Sequence, residues 1–354
     1  MEMYRRDAAA RELLPQRSRA VNYQTEEVYN RFGNPEQYVQ AQQVAFLERQ
    51  AARAAMPPRQ HELLATYGQE LQKSAEIPED ELKYGKELGR GAFGTVMRAT
   101  WKEAQVAVKV LARLSKPASK QFIQEAALML KFKHAGIVQV HGWTKKEASL
   151  GLVMELMADG SLHDQIHVGL DFETKLTLPL KISIAEQVTT ALAYLHDECD
   201  MAHRDVKPHN VLLSFADDKA SVKAKLCDFG FVKVRNSVRS STASQAVAIF
   251  VGTPGYAAPE DFEEKVEDDD VAGWKKCDVY ATGVLLWELF EEEQPYWDDS
   301  IPAIKKKVTA GKMLSLNEVP EEYHSTLKSM WQLKPIDRPT MAAVATIFKS
   351  KHAA

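Results

Sequence analysis

Long apolar runs are absent from this sequence. No stretch approaches the roughly 18 consecutive apolar residues that a bilayer-spanning helix needs. Cysteine is scarce: Cys199, Cys227 and Cys277 are an odd set with no CxxC pair, the usage expected of reduced thiols in a cytosolic or nuclear setting. An excess of positive charge is also missing. Forty-five Lys and Arg against 49 Asp and Glu leave a net charge of −4, which argues against a nucleic-acid binder. The opening MEMYRRDAAARELL has no apolar core and mixes both charge signs, so it reads as neither a secretory signal nor a transit peptide. These absences lead to the expectation of a soluble intracellular protein, in the cytoplasm or alternatively the nucleus.

At 354 residues the chain exceeds one average domain and is short for three. It changes character near residue 80. Before that point glycine occurs only at Gly33 and Gly68, among many Gln, Arg, Glu and Ala. Residues 36–56 form the best helical stretch there, with Val39, Val44, Phe46 and Leu47 as a narrow apolar face. Pro57-Pro58 ends it, and a second helix is expected over 61–73. Residues 1–80 are therefore either a partly helical or disordered extension, or a regulatory segment that docks on the domain C-terminal to it.

Beyond residue 80 short runs with β-branched residues and Gly or charged turns predict strands over 82–88, 94–101 and 104–111. An amphipathic helix is expected over 118–133, and further strands over 137–143 and 150–157. The remainder is mainly helical, at 178–197, 272–291, 300–310, 320–332 and after Pro339, with strand-like pieces at 210–214 and 224–228. A small sheet-rich half before a larger helical half predicts an α+β protein of two lobes with a ligand cleft between them.

Four short motifs carry chemistry. In Gly89-Arg90-Gly91-Ala92-Phe93-Gly94-Thr95-Val96 the residues after the last glycine favour a strand, so this is a hairpin and not a strand-to-helix nucleotide turn. Backbone N–H groups there can approach phosphate oxygens without obstruction by side chains, although a plain Gly-rich turn would look the same. Val106-Ala107-Val108-Lys109 sets one lysine in an apolar strand, where it needs an anionic partner; Glu125 on the next helix can supply one. The segment 203–210, HRDVKPHN, holds a carboxylate (Asp205), an ammonium (Lys207) and an amide (Asn210) within six residues. Asp205 can accept a proton from an attacking hydroxyl, Lys207 can neutralise a moving phosphoryl group, and the Asn210 oxygen can ligate a hard cation. Asp228-Phe229-Gly230 sets another oxygen ligand at a strand end, then a packing anchor and a hinge.

With Ala258-Pro259-Glu260 these motifs stand in the order found in eukaryotic protein kinases, and residues 82–351 resemble that family. The resemblance implies a bilobal kinase domain over 81–352, with an N-lobe at 81–154, a hinge at 155–159 and a C-lobe at 160–352. It implies ATP and Mg2+, with Lys109 held by Glu125, metal on Asn210 and Asp228, and Asp205 and Lys207 at the transferred group. Leu88, Gly89, Arg90, Gly91, Ala92, Phe93, Gly94, Val96, Ala107 and Leu212 would surround the nucleotide. Met154 would be the gatekeeper, with Glu155 to Met157 binding adenine. Met129, Val140, His203 and Phe229 would stack as an internal spine, with Gly230 as the hinge after Phe229. Asp278 would open the central C-lobe helix and tie down the catalytic loop, and Arg338 would pair with Glu260.

Lys207 two residues after Asp205, and Thr253 before Ala-Pro-Glu, resemble serine/threonine kinases. Thr253 would contact Asp205 and Lys207. Residues 82–85, Thr100-Trp101 and 286–289 resemble tyrosine kinases and the tyrosine-kinase-like group. The expectation is a Ser/Thr kinase of the tyrosine-kinase-like group acting on protein substrates, with dual specificity or an ATP-binding scaffold as alternatives. Arg204 beside Asp205 implies a switch in which Ser237, Ser240, Ser241, Thr242 or Ser244 is phosphorylated, in trans through transient self-association. The acidic run 261–270 is either a solvated loop or an attractor of basic partners. Cys227 is expected to be a small buried filler.

Overall fold

The computed structural model describes residues 75–91, 94–111, 126, 129–146, 149–168, 176–228, 253–267 and 270–352. The expected helices at 36–56 and 61–73 lie outside the described residues, as do Ala92, Phe93, Glu125, Phe229, Gly230 and the five hydroxyls from Ser237 to Ser244.

Five antiparallel strands build the small lobe: β1 (Lys83–Gly91), β2 (Gly94–Trp101), β3 (Ala104–Leu111), β4 (Val140–Lys146) and β5 (Ser149–Glu155), in the order β1-β2-β3-β5-β4. Alternation along β3 divides its side chains between two faces. Val106 and Val108 pack with Ile77, Leu82, Ala99 and Val153 in a small outer core. Ala107 and Leu111 join the main core, which also takes in Met154, Met157 and the helical lobe. Lys109 shares this inner face and is thereby aimed at the interior between the lobes.

The lobe begins earlier than residue 81. Ile77 N–H donates to the Trp143 carbonyl (2.7 Å) and Trp143 N–H to the Ala75 carbonyl (2.9 Å), so residues 75–77 run along the edge of β4. The strand expected from residue 137 starts instead at Val140. Ile137 and Val138 are buried against β7 (Val222–Leu226), where Val138 N–H donates to the Leu226 carbonyl (2.9 Å). This stretch stitches the two lobes together. The strand expected to reach 157 stops at Glu155, and helical residues before it include Ala126 and Met129, with Leu130 and Lys131 already in a turn.

Among the described residues five longer helices make the large lobe: α1 (Leu178–Asp197), α2 (Val271–Glu291), α3 (Ile301–Thr309), α4 (Glu321–Met330) and α5 (Met341–His352). In α1 the residues Ile184, Ala185, Val188, Ala191, Leu192 and Leu195 form one buried stripe at helical spacing. α2 is buried almost all round from Cys277 to Glu291 and serves as the lobe's central post. The family resemblance starts this helix at Asp278. It begins seven residues earlier, because the Asp270 carboxylate caps it by accepting from Gly273 N–H (2.8 Å). Gly283 is required inside α2, since a Cβ there would overlap the Trp331 indole. Strand β6 (Val211–Phe215) pairs with β7 beneath the small lobe, and the loop before β6 carries residues 203–210.

Candidate active site

The cleft is roofed by the β1–β2 hairpin, where Gly91 pairs with Gly94. Gly94 has φ +137°, open to glycine alone, and a Cβ there would overlap the Val110 carbonyl. Leu88 and Gly89 lead into the turn with Leu88 exposed. The Arg90 side chain turns back to Glu87 (2.9 Å) across the surface, so only its backbone faces the turn. Val96 pairs with Lys109, and Ala107 with Met154, across adjacent strands. Below them, Ser161 bridges to Leu212 and the Asp159 N–H donates to the Leu213 carbonyl (3.1 Å). Val96, Ala107, Met154, Met157 and Leu212 thus come to one slot between the lobes.

Lys109 crosses that slot. Its ammonium lies 2.5 Å from Oδ1 of Asp228, 119 residues away, and the lysine side chain is 8% exposed. Asp228 leaves β7 with φ +62°, a conformation uncommon outside glycine and enriched at functional sites. That turn points its carboxylate back toward Lys109 and away from the strand direction.

A connected polar set stands beside it. Lys207 Nζ contacts both oxygens of Asp205 (3.0 and 3.2 Å) and donates to the Thr253 hydroxyl (3.0 Å). The Thr253 hydroxyl thus meets Lys207, as the resemblance implies, and Lys207 links it to the Asp205 carboxylate. Asn210 donates from Nδ2 to the Asp205 carbonyl (2.7 Å) and to Oδ2 (3.1 Å). With its NH2 so engaged, the Asn210 amide oxygen is turned the other way and is the atom left to meet a cation. Asn210 Oδ1 and the Asp228 carboxylate are hard oxygen donors, the set that suits Mg2+.

Asp278 fixes the loop from below. Its carboxylate accepts from His203 N–H (2.6 Å), Arg204 N–H (2.7 Å) and the His196 ring (2.9 Å), and it is 1% exposed. His203 is itself buried, 1% exposed. Burial pushes its imidazole below the ordinary value, so it stays neutral. Its Nδ1 accepts from Asp205 N–H (3.3 Å) while Nε2–H donates to the Cys227 carbonyl (3.1 Å), which selects one tautomer. Burial and the Asp228 charge push the Cys227 thiol up, which fits a packing role and not a reactive one.

Arg338 and Glu260 form the expected pair, two parallel bonds of 2.6 and 2.8 Å, buried beneath Ala-Pro-Glu. In the acidic run Asp261, Phe262 and Val266 are buried, while Glu263, Glu264, Glu267 and Asp270 are exposed, and Asp270 caps α2.

Several contacts have no counterpart in the sequence pattern. Glu155 Oε1 accepts from Gln139 N–H (2.6 Å) and from Lys225 of β7 (2.6 Å), so the side chain of the hinge pins both lobes. Glu288 in α2 accepts from the Tyr256 hydroxyl (2.5 Å) and meets His167 (2.7 Å), tying the segment after Thr253 to the post. The available signal is an acid at a helix position otherwise buried, Glu288 amid Leu and Trp.

A profile described as "Protein kinase domain" matches residues 82–348. The chain belongs to the protein kinase family. Relatives of this kinase include a protein of Acanthamoeba polyphaga mimivirus, named as a candidate serine/threonine-protein kinase/receptor, 34% identical over 280 residues; these cover 77% of the chain and 16% of the viral protein. The serine/threonine-protein kinase CTR1 of Arabidopsis thaliana is 32% identical over 281 residues, 77% of the chain and 32% of CTR1. Mitogen-activated protein kinase kinase kinase 7 of Drosophila melanogaster is 27% identical over 288 residues, 80% of the chain and 39% of that protein. The chain spans well under half the length of each. No helix among the described residues is long and apolar enough to cross a membrane.

Proposed function

We propose that this kinase domain transfers the γ-phosphoryl group of ATP to serine and threonine hydroxyls of protein substrates. The observation that carries the reading is the continuous polar set Thr253–Lys207–Asp205–Asn210 beside the Lys109–Asp228 pair at the mouth of one cleft. Asp205 accepts the proton of the acceptor hydroxyl as its oxygen bonds to the γ-phosphorus. The bond from that phosphorus to the β–γ bridging oxygen breaks, and the electron pair leaves on ADP. Lys207 sits between Asp205 and the incoming phosphoryl charge, and Lys109 is placed for the α- and β-phosphates beneath the glycine hairpin. Positioning and charge supply most of the acceleration, since little covalent chemistry is asked of the protein.

Mg2+, on Asn210 and Asp228, would supply charge neutralisation on the phosphates. Asp228 already sits opposite Lys109, which holds that carboxylate in the cleft. Thr253 bonded to Lys207 narrows the approach to Asp205 and favours a short acceptor side chain over a tyrosine ring. The same reading assigns Arg204 as the receiver of a phosphate on the hydroxyls from Ser237 to Ser244, added in trans by a second copy.

Purified protein incubated with γ-labelled ATP and Mg2+, alone and with a generic basic protein, tests the proposal beside Asp228→Asn. Labelled phosphoserine or phosphothreonine that disappears in the variant supports it. Label on tyrosine would make the kinase dual-specific. Absence of label from folded, ATP-binding protein would favour a scaffold.

A further inference from the structure

The guanidinium of Arg204 lies over the ring of Trp274, 4.9 Å from its centroid. Trp274 is 4% exposed and sits in the first turns of α2, and its indole N–H donates to the Glu267 carbonyl (3.0 Å). Asp278, four residues on, lies on the same helical face. Its carboxylate binds the backbone N–H of the same arginine (2.7 Å). One face of α2 thus grips Arg204 twice, by the side chain through Trp274 and by the main chain through Asp278. Arg204 has φ +66°, a conformation that a non-glycine residue keeps only when its surroundings impose it. Its neighbour in the chain is Asp205.

We propose that Trp274 is a positioning residue for phosphoryl transfer: its ring holds the Arg204 guanidinium, and through the strained Arg204 backbone it fixes the direction of the Asp205 carboxylate. The segment before α2 contributes to the same geometry, Glu267 through its main-chain carbonyl and Asp270 through its carboxylate. Glu267 anchors the indole and Asp270 caps the helix that presents it, so these two residues set the height of the ring under the catalytic loop. A cationic group on an indole face is held by the ring's electrostatic field, and burial strengthens that hold. An aliphatic residue of similar bulk would fill the space and leave the guanidinium without it.

The inference rests on Asp205 being the catalytic carboxylate, and its test separates the two. Trp274→Leu and Trp274→Phe are compared with wild type in the full chain. Both variants lose the indole N–H, and only Phe keeps a ring face. Trp274→Leu is expected to lower kcat by about tenfold with KM for ATP unchanged, and Trp274→Phe to recover most of that loss at an equal melting temperature. Equal kcat in Leu and wild type, or equal losses in Leu and Phe, would overturn the clamp. If wild type itself transfers no phosphate, the functional reading fails. The clamp is then read by NMR, where the Arg204 Nε–H resonance must show an upfield ring-current shift that Trp274→Leu abolishes. An unshifted resonance in wild type would overturn it.

Discussion

Replacing Arg338 with alanine removes one partner of a buried pair and exposes the cost of the other. Arg338 is 2% exposed and Glu260 5%. The guanidinium makes two bonds to Glu260 (2.6 and 2.8 Å) and three more to the carbonyls of Gln332, Lys276 and Leu333, over the Tyr280 ring. Cys277 adds a thiol contact to Glu260 (3.2 Å), too weak to replace an arginine. In Arg338→Ala the Glu260 carboxylate therefore stays buried without a countercharge, a situation that costs about 3–5 kcal/mol. For a domain of this size each kcal/mol is about 2–4 °C, so thermal unfolding monitored by circular dichroism should show a fall of about 6–20 °C. Glu260→Leu combined with Arg338→Met removes the stranded carboxylate and should recover part of the loss, the three carbonyls still lacking the donor they have in the wild type. A fall under about 2 °C in Arg338→Ala would refute the reasoning, as would a double variant no more stable than the single one.

Thr253→Ala removes the hydroxyl that holds Lys207, and a bond from a charged donor is worth enough to lower kcat/KM for the acceptor by about 10- to 100-fold in steady-state assays, with ATP binding retained. Lys225→Ala frees Glu155 on the hinge, and hydrogen exchange at the Gln139 amide should quicken by about tenfold while the melting temperature moves little. Burial holds His134, His141 and His203 below the ordinary imidazole value. Below pH about 6.5 the unfolded chain therefore takes up protons that the folded state refuses. Stability is level above that pH and falls as pH drops from about 6.5 to 5, which melting curves across the range will show. Asp164 is held down to about 2 chiefly by the His163 imidazole, so its contribution is lost only in stronger acid and does not mask the effect.

Features set by local pattern are legible in the sequence alone. Strands β2 and β3 fall at their expected bounds because Gly94 and the Lys102-Glu103 turn punctuate them, and α1 matches its expected residues because its apolar stripe has one period. Lys109, Asp205, Lys207, Asn210 and Asp228 are legible as polar groups whose chemistry needs partners. Contacts made at long range are not. Residues 75–77 look like linker until Trp143 pairs with them, and Ile137-Val138 looks like strand until β7 claims it. Glu155 is placed in the hinge by the resemblance, but the bond its side chain makes is not legible, because it depends on Lys225, 70 residues away. Trp274 carries no signal in the sequence, because the cation above it comes from another element.

The most direct test of the central claim compares wild type with Asp205→Asn in single-turnover transfer from γ-labelled ATP to a serine- or threonine-bearing protein, with ATP affinity measured in parallel. The account predicts a rate lower by about 10²- to 10⁴-fold with ATP affinity unchanged, since only the proton acceptor has been removed. Transfer at the wild-type rate by Asp205→Asn would contradict it.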